Sequence, residues 1–479
     1  MKSKNLVSSW VVAILFLVAF NANANNVSIS GTTVTGSDIS FNISWENSWN
    51  ANIAPANWDA VWIFVKYQDC NTRVWAHAGL STLATDHTTA SPLQVDPTLD
   101  GKGVFIRISA LGGGTVDPTA VTLKMTIPAG TYNYKVFAIE MANVPQAAFE
   151  VGDATSVGTF NNINVTAASE TSGIPSASIG GSSANIPAAY PVGFNAFYIM
   201  KYEISQEQYV DFLNSLTYTQ QKAHTIADPI SAVGTFAFLD GYRNGIKIST
   251  PGNNAAIPAI YACDLTTGIE GNIDDGQNIA ANHLNWSDVA AYLDWAALSP
   301  MTELQFEKTC RGNQTRVAGE YPWGTTEINT IWSYTIINAK KPNEKNNAVL
   351  NGIANYYTNG NSVNSPVKVG FSASGTSGRV SSGASFYGAM EMGGNLYEMT
   401  INTSTDGVTF NGSNGDGNLS AAGMANQTTW PSNTTAIGIG LRGGSCNNFS
   451  TFVRTSDRGL ITSPPADRHY GLGGRGVRQ

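Results

Sequence analysis

The first part of the chain alternates between apolar and polar side chains. Every second position is apolar in one stretch, at Ile39, Phe41, Ile43 and Trp45. A period of two puts successive side chains on opposite faces of a strand, so one face is buried. Runs of β-branched and aromatic residues, separated by Gly, Pro, Asn and Asp, follow at 58–67, 104–108 and 121–127. We predict an all-β sandwich over residues 25–135, whose aromatic side chains either fill the core or form a sugar-binding surface.

Helical signals begin after about residue 134. Ser205 and Gln208 form a capping box before an apolar face, and Thr302 with Gln305 forms a second one. Ser287 is predicted to cap a third helix over 287–298. Long segments rich in Gly, Asn and Ser lie between and after these helices. So much irregular chain needs metal ions, disulfides or dense hydrogen bonding to hold it.

The N-terminus indicates export. Lys2 and Lys4 precede an apolar run over 11–20, and the small residues Ala22 and Ala24 follow it. This pattern is typical of a signal peptide over 1–24, cleaved near Ala24, because the run is shorter than the ~20 residues that span a bilayer. No later stretch is long and apolar enough to span a membrane. We expect a secreted protein, in the periplasm, on the cell surface or outside the cell.

Charge and cysteine content narrow the classes of function. The 479 residues carry 26 basic and 34 acidic side chains, a formal net charge of −8. Nucleic acid is not an expected partner, because phosphate binding needs a basic surface. Four cysteines are too few for a disulfide scaffold in a chain of this length. They can pair in three ways or remain as buried thiols: Cys70, Cys263, Cys310 and Cys446.

An ordered series of motifs resembles one known family. The series comprises segments at 140–152, 197–212, 286–290, 302–312 and 321–324, then GAMEMGGNLYEMT at 388–400, LRGGS at 441–445, Arg454 with Arg458, and GVR at 476–478. It is similar to the formylglycine-generating enzyme (sulfatase-modifying factor) family over residues 137–479. The resemblance implies an α+β domain with the C-type-lectin-like fold and little regular structure, preceded here by the all-β sandwich.

The same resemblance implies a copper site that this sequence does not complete. Enzymes of the family oxidise a peptide cysteine to formylglycine with oxygen and a Cu(I) ion held by two cysteines. Those cysteines correspond to Asn448 and Val453 here, and neither side chain can supply a thiolate. Ser445 and Cys446 are weak catalytic candidates. Cys310 fits a core position in its helix, and Cys263 could pair with Cys310 or Cys446 after export.

Calcium is the metal that the resemblance favours. Glu391 and Glu398 would bind through carboxylates, and Gly394 and Leu396 through backbone carbonyls, which suits an ion that takes six to eight oxygens. A second calcium site would use Asn355 and the carbonyl of Tyr356. A related branch of the family binds iron through three histidines. The five histidines here show no ligand spacing, and no serine-hydrolase motif is present.

Arginines near the C-terminus have a structural interpretation. Arg442, Arg458 and Arg478 are expected in buried positions that tie loops together, with Glu307 and Asp457 as possible partners. We therefore predict a non-catalytic binding or structural protein of the cell surface or matrix, whose ligand is a protein, a peptide or a glycan. The alternatives are a formylglycine-forming oxidase and a carbohydrate-binding lectin-like module.

Overall fold

The computed structural model describes residues 26–254, 257–266, 268–348, 350–360 and 362–479. The predicted signal peptide lies outside them. Ten strands come first: β1 Ser28–Thr35, β2 Asp38–Asn50, β3 Asp59–Asp69, β4 Trp75–His77, β5 Gly79–Leu80, β6 Thr88–Thr89, β7 Leu93–Pro97, β8 Val104–Ile108, β9 Gly112–Thr126 and β10 Tyr132–Val144.

These strands form the two layers of the predicted sandwich. One layer has the order β1-β2-β9-β5, with β6 also paired to β9, and the other contains β10, β3, β8 and β7, with β4 on β3. The alternating residues of β2 point into the core between the layers. Its four apolar members are at most 3% exposed: Ile39, Phe41, Ile43 and Trp45. The period-two prediction is confirmed.

Strand β3 is apolar without interruption from Ala60 to Val65, and both of its faces are buried there. Ile63 and Val65 pack into the sandwich core. Trp62 and Phe64 point the other way, into a second core built by the rest of the chain. The Trp62 indole Nε1 donates to the carbonyl of Ala296 at 2.9 Å. A strand covered on both faces reads as a continuous hydrophobic run rather than an alternation.

Strand β10 joins the two predicted domains. It pairs with β3 from Tyr132 to Ala142, and its last residues, Met141–Val144, pair with a strand of the second region. The boundary expected at 135–137 therefore lies within one strand. The resulting sheet has ten strands, β4 on β3 included, and runs through both regions.

The second region mixes short strands with short helices in an α+β arrangement. Its strands are β11 Phe149–Val151, β12 Ile163–Val165, β13 Phe197–Met200, β14 Ile246–Thr250, β15 Ile260–Cys263, β16 Ser299–Thr302, β17 Asn329–Thr330, β18 Ile336–Ile337, β19 Lys345–Asn346, β20 Ile353–Ala354, β21 Glu398–Ile401, β22 Ile439–Arg442 and β23 Gly476–Arg478. Its α-helices are α1 Ala167–Ser172, α2 Ser176–Ile179, α3 Gln206–Leu213, α4 Tyr218–His224, α5 Trp286–Trp295, α6 Glu303–Arg311 and α7 Arg379–Ser382. The shared sheet continues through it in the order β10-β13-β23-β16-β21-β22.

Two of the three predicted helix starts are confirmed, and one is wrong. Ser205 caps α3 and Thr302 caps α6, each through a capping box. Helix α5 spans Trp286–Trp295 rather than the expected 287–298. Its cap is Asn285 and not Ser287, because the Asn285 side chain accepts from the Asp288 amide at 3.0 Å. The Asp288 carboxylate accepts from the Asn285 amide in return, at 3.1 Å. Asparagine is as good a cap as serine, and here it has the reciprocal partner.

We searched the helices of the described residues for one that could span a membrane. No helix there is both long and apolar enough to cross a bilayer. This agrees with the prediction that no membrane span follows the predicted signal peptide.

Candidate functional site

The chain after β22 contains the four positions that the family resemblance aligns with its catalytic segment: Ser445, Cys446, Asn448 and Val453. Gly443 adopts a φ of +81°, and a Cβ at this position would lie 2.6 Å from the carbonyl oxygen of Met392, so the turn requires glycine. The Ser445 hydroxyl that follows lies 2.6 Å from the side-chain oxygen of Asn448 and also contacts that of Asn447. Its partners are therefore amides, which cannot act as a general base.

Neither copper-ligand position offers a metal donor of the required kind. Val453 is fully buried against the aromatic rings of Tyr321 and Trp323. Asn448 holds the loop through its backbone, where its carbonyl accepts from the Tyr357 amide at 2.9 Å. Cu(I) prefers soft thiolates, and an isopropyl group and an amide supply none. The residues present do not fit a two-thiolate copper ion.

The four cysteines are all free thiols, and they do not gather at this loop. Cys70 is exposed, whereas the other three are buried. Cys310 lies in an apolar cluster with Met301 and Phe306, and Cys263 lies in a different one. Burial raises the pKa of Cys446, and the nearby Glu203 carboxylate adds to the shift. A buried thiol that stays protonated is a poor nucleophile and a poor metal ligand.

A buried ion pair occupies the predicted calcium region. Arg475 is fully buried, and its Nε donates to a carboxylate oxygen of Glu398 at 2.5 Å. Glu203, which the sequence analysis did not single out, accepts from the Leu396 amide at 2.9 Å and from the Asn395 side chain at 2.5 Å. Burial raises the pKa of Glu203 well above its usual range, and the neighbouring Glu398 raises it further.

The other predicted calcium ligands are only partly paired within the protein, and for Gly394 and Asn355 the bonds are made by N–H groups rather than by oxygens. Glu391 accepts from the Gly370 amide at 2.9 Å, and burial raises the pKa of Glu391 to about 7. The Gly394 amide donates to the Gly443 carbonyl at 2.8 Å. Asn355 donates to the Ser365 carbonyl at 2.8 Å. The Tyr356 carbonyl accepts from Thr330 at 2.8 Å.

The predicted calcium positions combine a buried ion pair with oxygens that have no protein partner. The Arg475 guanidinium supplies the positive charge that Glu398 needs in the protein interior. Among the described residues, no group of three or more His, Cys, Asp or Glu side chains is placed to hold a metal. One oxygen of Glu398 and the side-chain oxygen of Asn355 lack a hydrogen-bond partner among these residues. Calcium binding at these positions stays a prediction, which a binding measurement can test.

An aromatic surface includes two of the five histidines. The rings of Tyr242 and Tyr470 stack with centroids 3.7 Å apart, and the His469 ring lies 4.4 Å from that of Tyr470. Beneath them His283 is buried, and neither of its ring nitrogens has a hydrogen-bond partner in the described structure. Burial lowers the pKa of His283 to about 4, so this ring is neutral. No local pattern in the sequence indicates this cluster, which we call the Tyr242–Tyr470 platform.

The remaining histidines have separate structural partners. His224 bonds to the Asp288 carboxylate and to the Gly423 carbonyl, at 3.0 Å and 2.7 Å. His77 and His87 lie in the sandwich region and contact the carbonyls of Lys102 and Ser81. These contacts are those of ordinary structural histidines.

Buried arginines hold the loops behind the site. Arg442 donates to Glu303 at 3.0 Å and to Glu307 at 2.8 Å. Arg458 donates to both oxygens of Glu303, at 2.6 Å and 2.9 Å. The expected Glu307 partnership is confirmed, whereas Asp457 instead accepts from the Gly459 amide at 3.0 Å.

Arg478 ties the two regions together. Its guanidinium donates to Asp100 of the sandwich at 2.5 Å and 2.6 Å and also contacts the Ala297 carbonyl. The expectation that this arginine joins loops is confirmed, with an aspartate that is 378 residues away in sequence.

Comparison with known proteins places this chain in a known class. Residues 156–479 match the family described as the sulfatase-modifying factor enzyme 1-like domain, and the chain belongs to that family. The formylglycine-generating enzyme of Bos taurus is 27% identical over 139 residues, which cover 28% of this chain and 34% of the bovine protein. That of Mus musculus is 28% identical over 139 residues, covering 28% of this chain and 35% of the mouse protein.

The chain thus matches about a third of the length of these curated relatives. Among solved structures, Treponema denticola variable protein 1 aligns with a TM-score of 0.29 and 11% sequence identity. The alignment covers 71% of this chain and 95% of that one.

Proposed function

We propose that this protein is a non-catalytic, exported member of its family that binds a protein, peptide or glycan ligand at the cell surface or in the matrix. The observation that carries the proposal is the chemistry of the two copper-ligand positions, Asn448 and Val453. One side chain is an amide and the other is a buried isopropyl group. We further propose the C-type-lectin-like fold for residues 137–479, which the short strands and the long hydrogen-bonded loops support.

The loop that would carry catalysis is instead suited to binding. Phe449 is 52% exposed, and its ring lies 5.4 Å from that of Tyr357 in an edge-on contact. Asn447 and Asn448 present amides beside this aromatic pair. Aromatic rings with adjacent amides are common in binding surfaces, because they combine apolar area with adaptable hydrogen bonding.

An oxidation assay tests the absence of catalysis. Purified protein is incubated with Cu(I), oxygen and a peptide that contains Cys-x-Pro-x-Arg, and the peptide mass is followed. We expect no conversion of the cysteine to formylglycine. Conversion that is lost in Cys446→Ala would replace the binding proposal with the oxidase alternative. Cys70→Ala is the matched control, because this thiol is exposed and lies in the sandwich region.

Glycan recognition is a second candidate, and the Tyr242–Tyr470 platform favours it. Tyr242 is 42% exposed, and stacked aromatic rings offer a flat apolar face to a sugar ring. A glycan array should then show binding that falls at least about tenfold in Tyr242→Ala. The control is Tyr334→Ala, since Tyr334 is 71% exposed and lies elsewhere in the chain. Equal binding by both variants would remove this candidate.

Export is tested by the mature N-terminus. We propose cleavage near Ala24, so N-terminal sequencing of the protein recovered outside the cytoplasm should begin at about Asn25. Retention of Met1 in the mature protein would contradict export by a cleaved signal peptide.

A further inference from the structure

Three charged side chains meet where the sandwich joins the second region. Asp59 begins β3, Glu140 lies in β10, and Lys201 directly follows β13. These strands are neighbours in the shared sheet, in the order β3-β10-β13. The Nζ atom of Lys201 lies 3.1 Å from Oε2 of Glu140 and 3.6 Å from Oδ2 of Asp59. We call these three residues the seam triad.

The seam triad is almost completely shielded from solvent. The side chains of Asp59, Glu140 and Lys201 are 0%, 1% and 5% exposed. The ring of Trp49 covers the ammonium, with its centroid 4.9 Å from Nζ, and Nζ also donates to the Asn47 carbonyl at 3.4 Å. Bulk water therefore does not compete with the amine for the carboxyl carbon of Asp59.

The Asp59 carboxyl group is oriented by three donors. Its Oδ1 accepts from the Ser48 hydroxyl and from the Trp49 backbone amide, both at 2.8 Å. Its Oδ2 accepts from the Trp45 indole at 3.2 Å and is the oxygen that faces Lys201. Donors fixed on one carboxyl oxygen stabilise the negative charge that develops there when a nucleophile adds to the carbon. The arrangement therefore favours attack by the amine on Asp59.

Proton positions decide whether the amine can react. Burial acts to lower the pKa of Lys201, but Tyr202 and the two carboxylates outweigh it and raise this pKa, so the group starts as an ammonium. Burial raises the pKa of Asp59 and of Glu140, which makes both carboxylates better proton acceptors than they are in water. Glu140 accepts a hydrogen bond from Nζ and is placed to take its proton.

We propose that Asp59 and Lys201 form an amide cross-link that joins the two regions, with Glu140 as the proton carrier. Nζ of Lys201 forms a bond to Cγ of Asp59, and the bond from Cγ to Oδ2 breaks. One ammonium proton stays on the amide nitrogen, and Glu140 passes the other two to Oδ2, which leaves as water. The Glu140 carboxylate is regenerated, no electrons are transferred, and no co-reactant is needed.

Proximity in the folded sheet favours this condensation. Reacting groups that are held in contact reach effective concentrations of about 10⁵ M or more. This exceeds the concentration of liquid water, so amide formation is favoured over hydrolysis at the seam triad. The cross-link forms after folding, because only the paired strands bring these residues together. It does not depend on the function proposed for the loop after β22.

The intact mass of the denatured, purified protein tests the proposal. We expect a mass that is lower, by one molecule of water, than that of the sequence counted from the observed N-terminus. Lys201→Arg keeps the positive charge but cannot condense with a carboxylate, so this variant should have its full mass. Lys135→Arg is the matched control. Lys135 pairs with Asp211 at 2.6 Å in an exposed position, and its substitution should leave the missing water unchanged.

Digestion with trypsin locates the bond. Trypsin cannot cleave after a condensed lysine, so the fragment that contains Lys201 should be joined to the fragment that contains Asp59 and ends at Lys66. Glu140→Gln keeps both partners of the bond but removes the proton carrier. The cross-linked fraction should then fall from most of the protein to a minor part, because a positioned base contributes about 100-fold or more to the rate.

Four results would contradict this assignment. A full sequence mass in the unsubstituted protein would leave the seam triad as an ion pair only. A missing water that persists in Lys201→Arg would place the loss elsewhere in the chain. A bond that maps to Glu140 would overturn Asp59 as the partner. A cross-linked fraction that Glu140→Gln leaves unchanged would overturn the role of Glu140.

Discussion

The sandwich and the loop-rich second region are stabilised by different kinds of interaction. In the sandwich, long strand ladders such as β2–β9 enclose a core of aliphatic and aromatic side chains. Behind the site of the second region, buried charges join the loops. We call them the arginine network, and its members are Glu303, Glu307, Arg311, Arg442 and Arg458. An apolar core tolerates partial loss, whereas a buried charge that loses its partner carries its full desolvation cost.

Breaking the arginine network should have the largest effect on stability. In Arg442→Ala, the carboxylates of Glu303 and Glu307 lose a buried cation that lies about 3 Å away. We expect the free energy of unfolding to fall by about 3–5 kcal/mol, measured by chemical denaturation. Arg73→Ala at an exposed turn is the control and should change it by less than about 0.5 kcal/mol. A loss below about 1 kcal/mol in Arg442→Ala would show that the network does not stabilise the region.

A substitution that creates a cavity in the sandwich core should lower the free energy of unfolding somewhat less than Arg442→Ala does. Ile43 is fully buried in β2, and Ile43→Ala is expected to lower the free energy of unfolding by about 2–4 kcal/mol. Ile43→Val, which removes one methylene, should cost about 1 kcal/mol in the same experiment. If the two substitutions cost the same, packing of this strand would not be the source of its stability.

A buried lysine next to the arginine network should destabilise the protein in a pH-dependent way. Burial lowers the pKa of Lys308 to about 7, and its ammonium donates to the Phe194 carbonyl at 3.0 Å. Because this folded-state pKa lies below the ordinary value of 10.5, the cost of burying the charge is fully present below pH 7. The cost disappears as the pH rises from 7 towards 10.5.

Lys308→Met should therefore stabilise the protein by about 1–3 kcal/mol at pH 6, with a smaller gain at pH 9. Denaturation at the two pH values measures the difference, and the exposed Lys345→Met is the control. A gain that is equal at both pH values would mean that Lys308 does not titrate in this range.

Substitutions at the start of helix α5 should have a smaller effect on stability. The observed cap, Asn285, can be compared directly with the predicted cap, Ser287. Asn285→Ala removes the observed cap and should cost about 1 kcal/mol. The Ser287 hydroxyl donates to the sulfur of Met424 at 3.1 Å and does not cap the helix. Ser287→Ala should therefore cost less than about 0.5 kcal/mol. The reverse order of the two effects would restore the cap predicted from the sequence.

Chelation should have the smallest effect, because Arg475 already neutralises Glu398. Adding EDTA to the purified protein should shift the melting temperature by less than about 2 °C. A larger drop that is absent in Glu398→Gln would establish the calcium site implied by the family resemblance. Added calcium, monitored by calorimetry, provides the second readout.

Local signals in the sequence were enough to predict several features of this protein. The alternation in β2 predicted a half-buried strand, because side-chain direction along a strand depends only on a period of two. The capping boxes at Ser205 and Thr302 predicted two helix starts, because those bonds join residues three apart. The family resemblance aligned Asn448 and Val453 with the copper ligands by counting from Ser445, and this alignment stays a prediction. The ordered motifs over 137–479 identified the family.

Features that depend on distant residues required the tertiary structure. The pairing of Arg475 with Glu398 joins residues 77 apart, and that of Arg478 with Asp100 joins residues 378 apart. The donor set at the predicted calcium positions and the Tyr242–Tyr470 platform arise in the same way. Ion pairs, ring stacking and cavities depend on distances in space, and a single sequence carries no record of which distant side chains the folded chain brings within a few ångströms of each other.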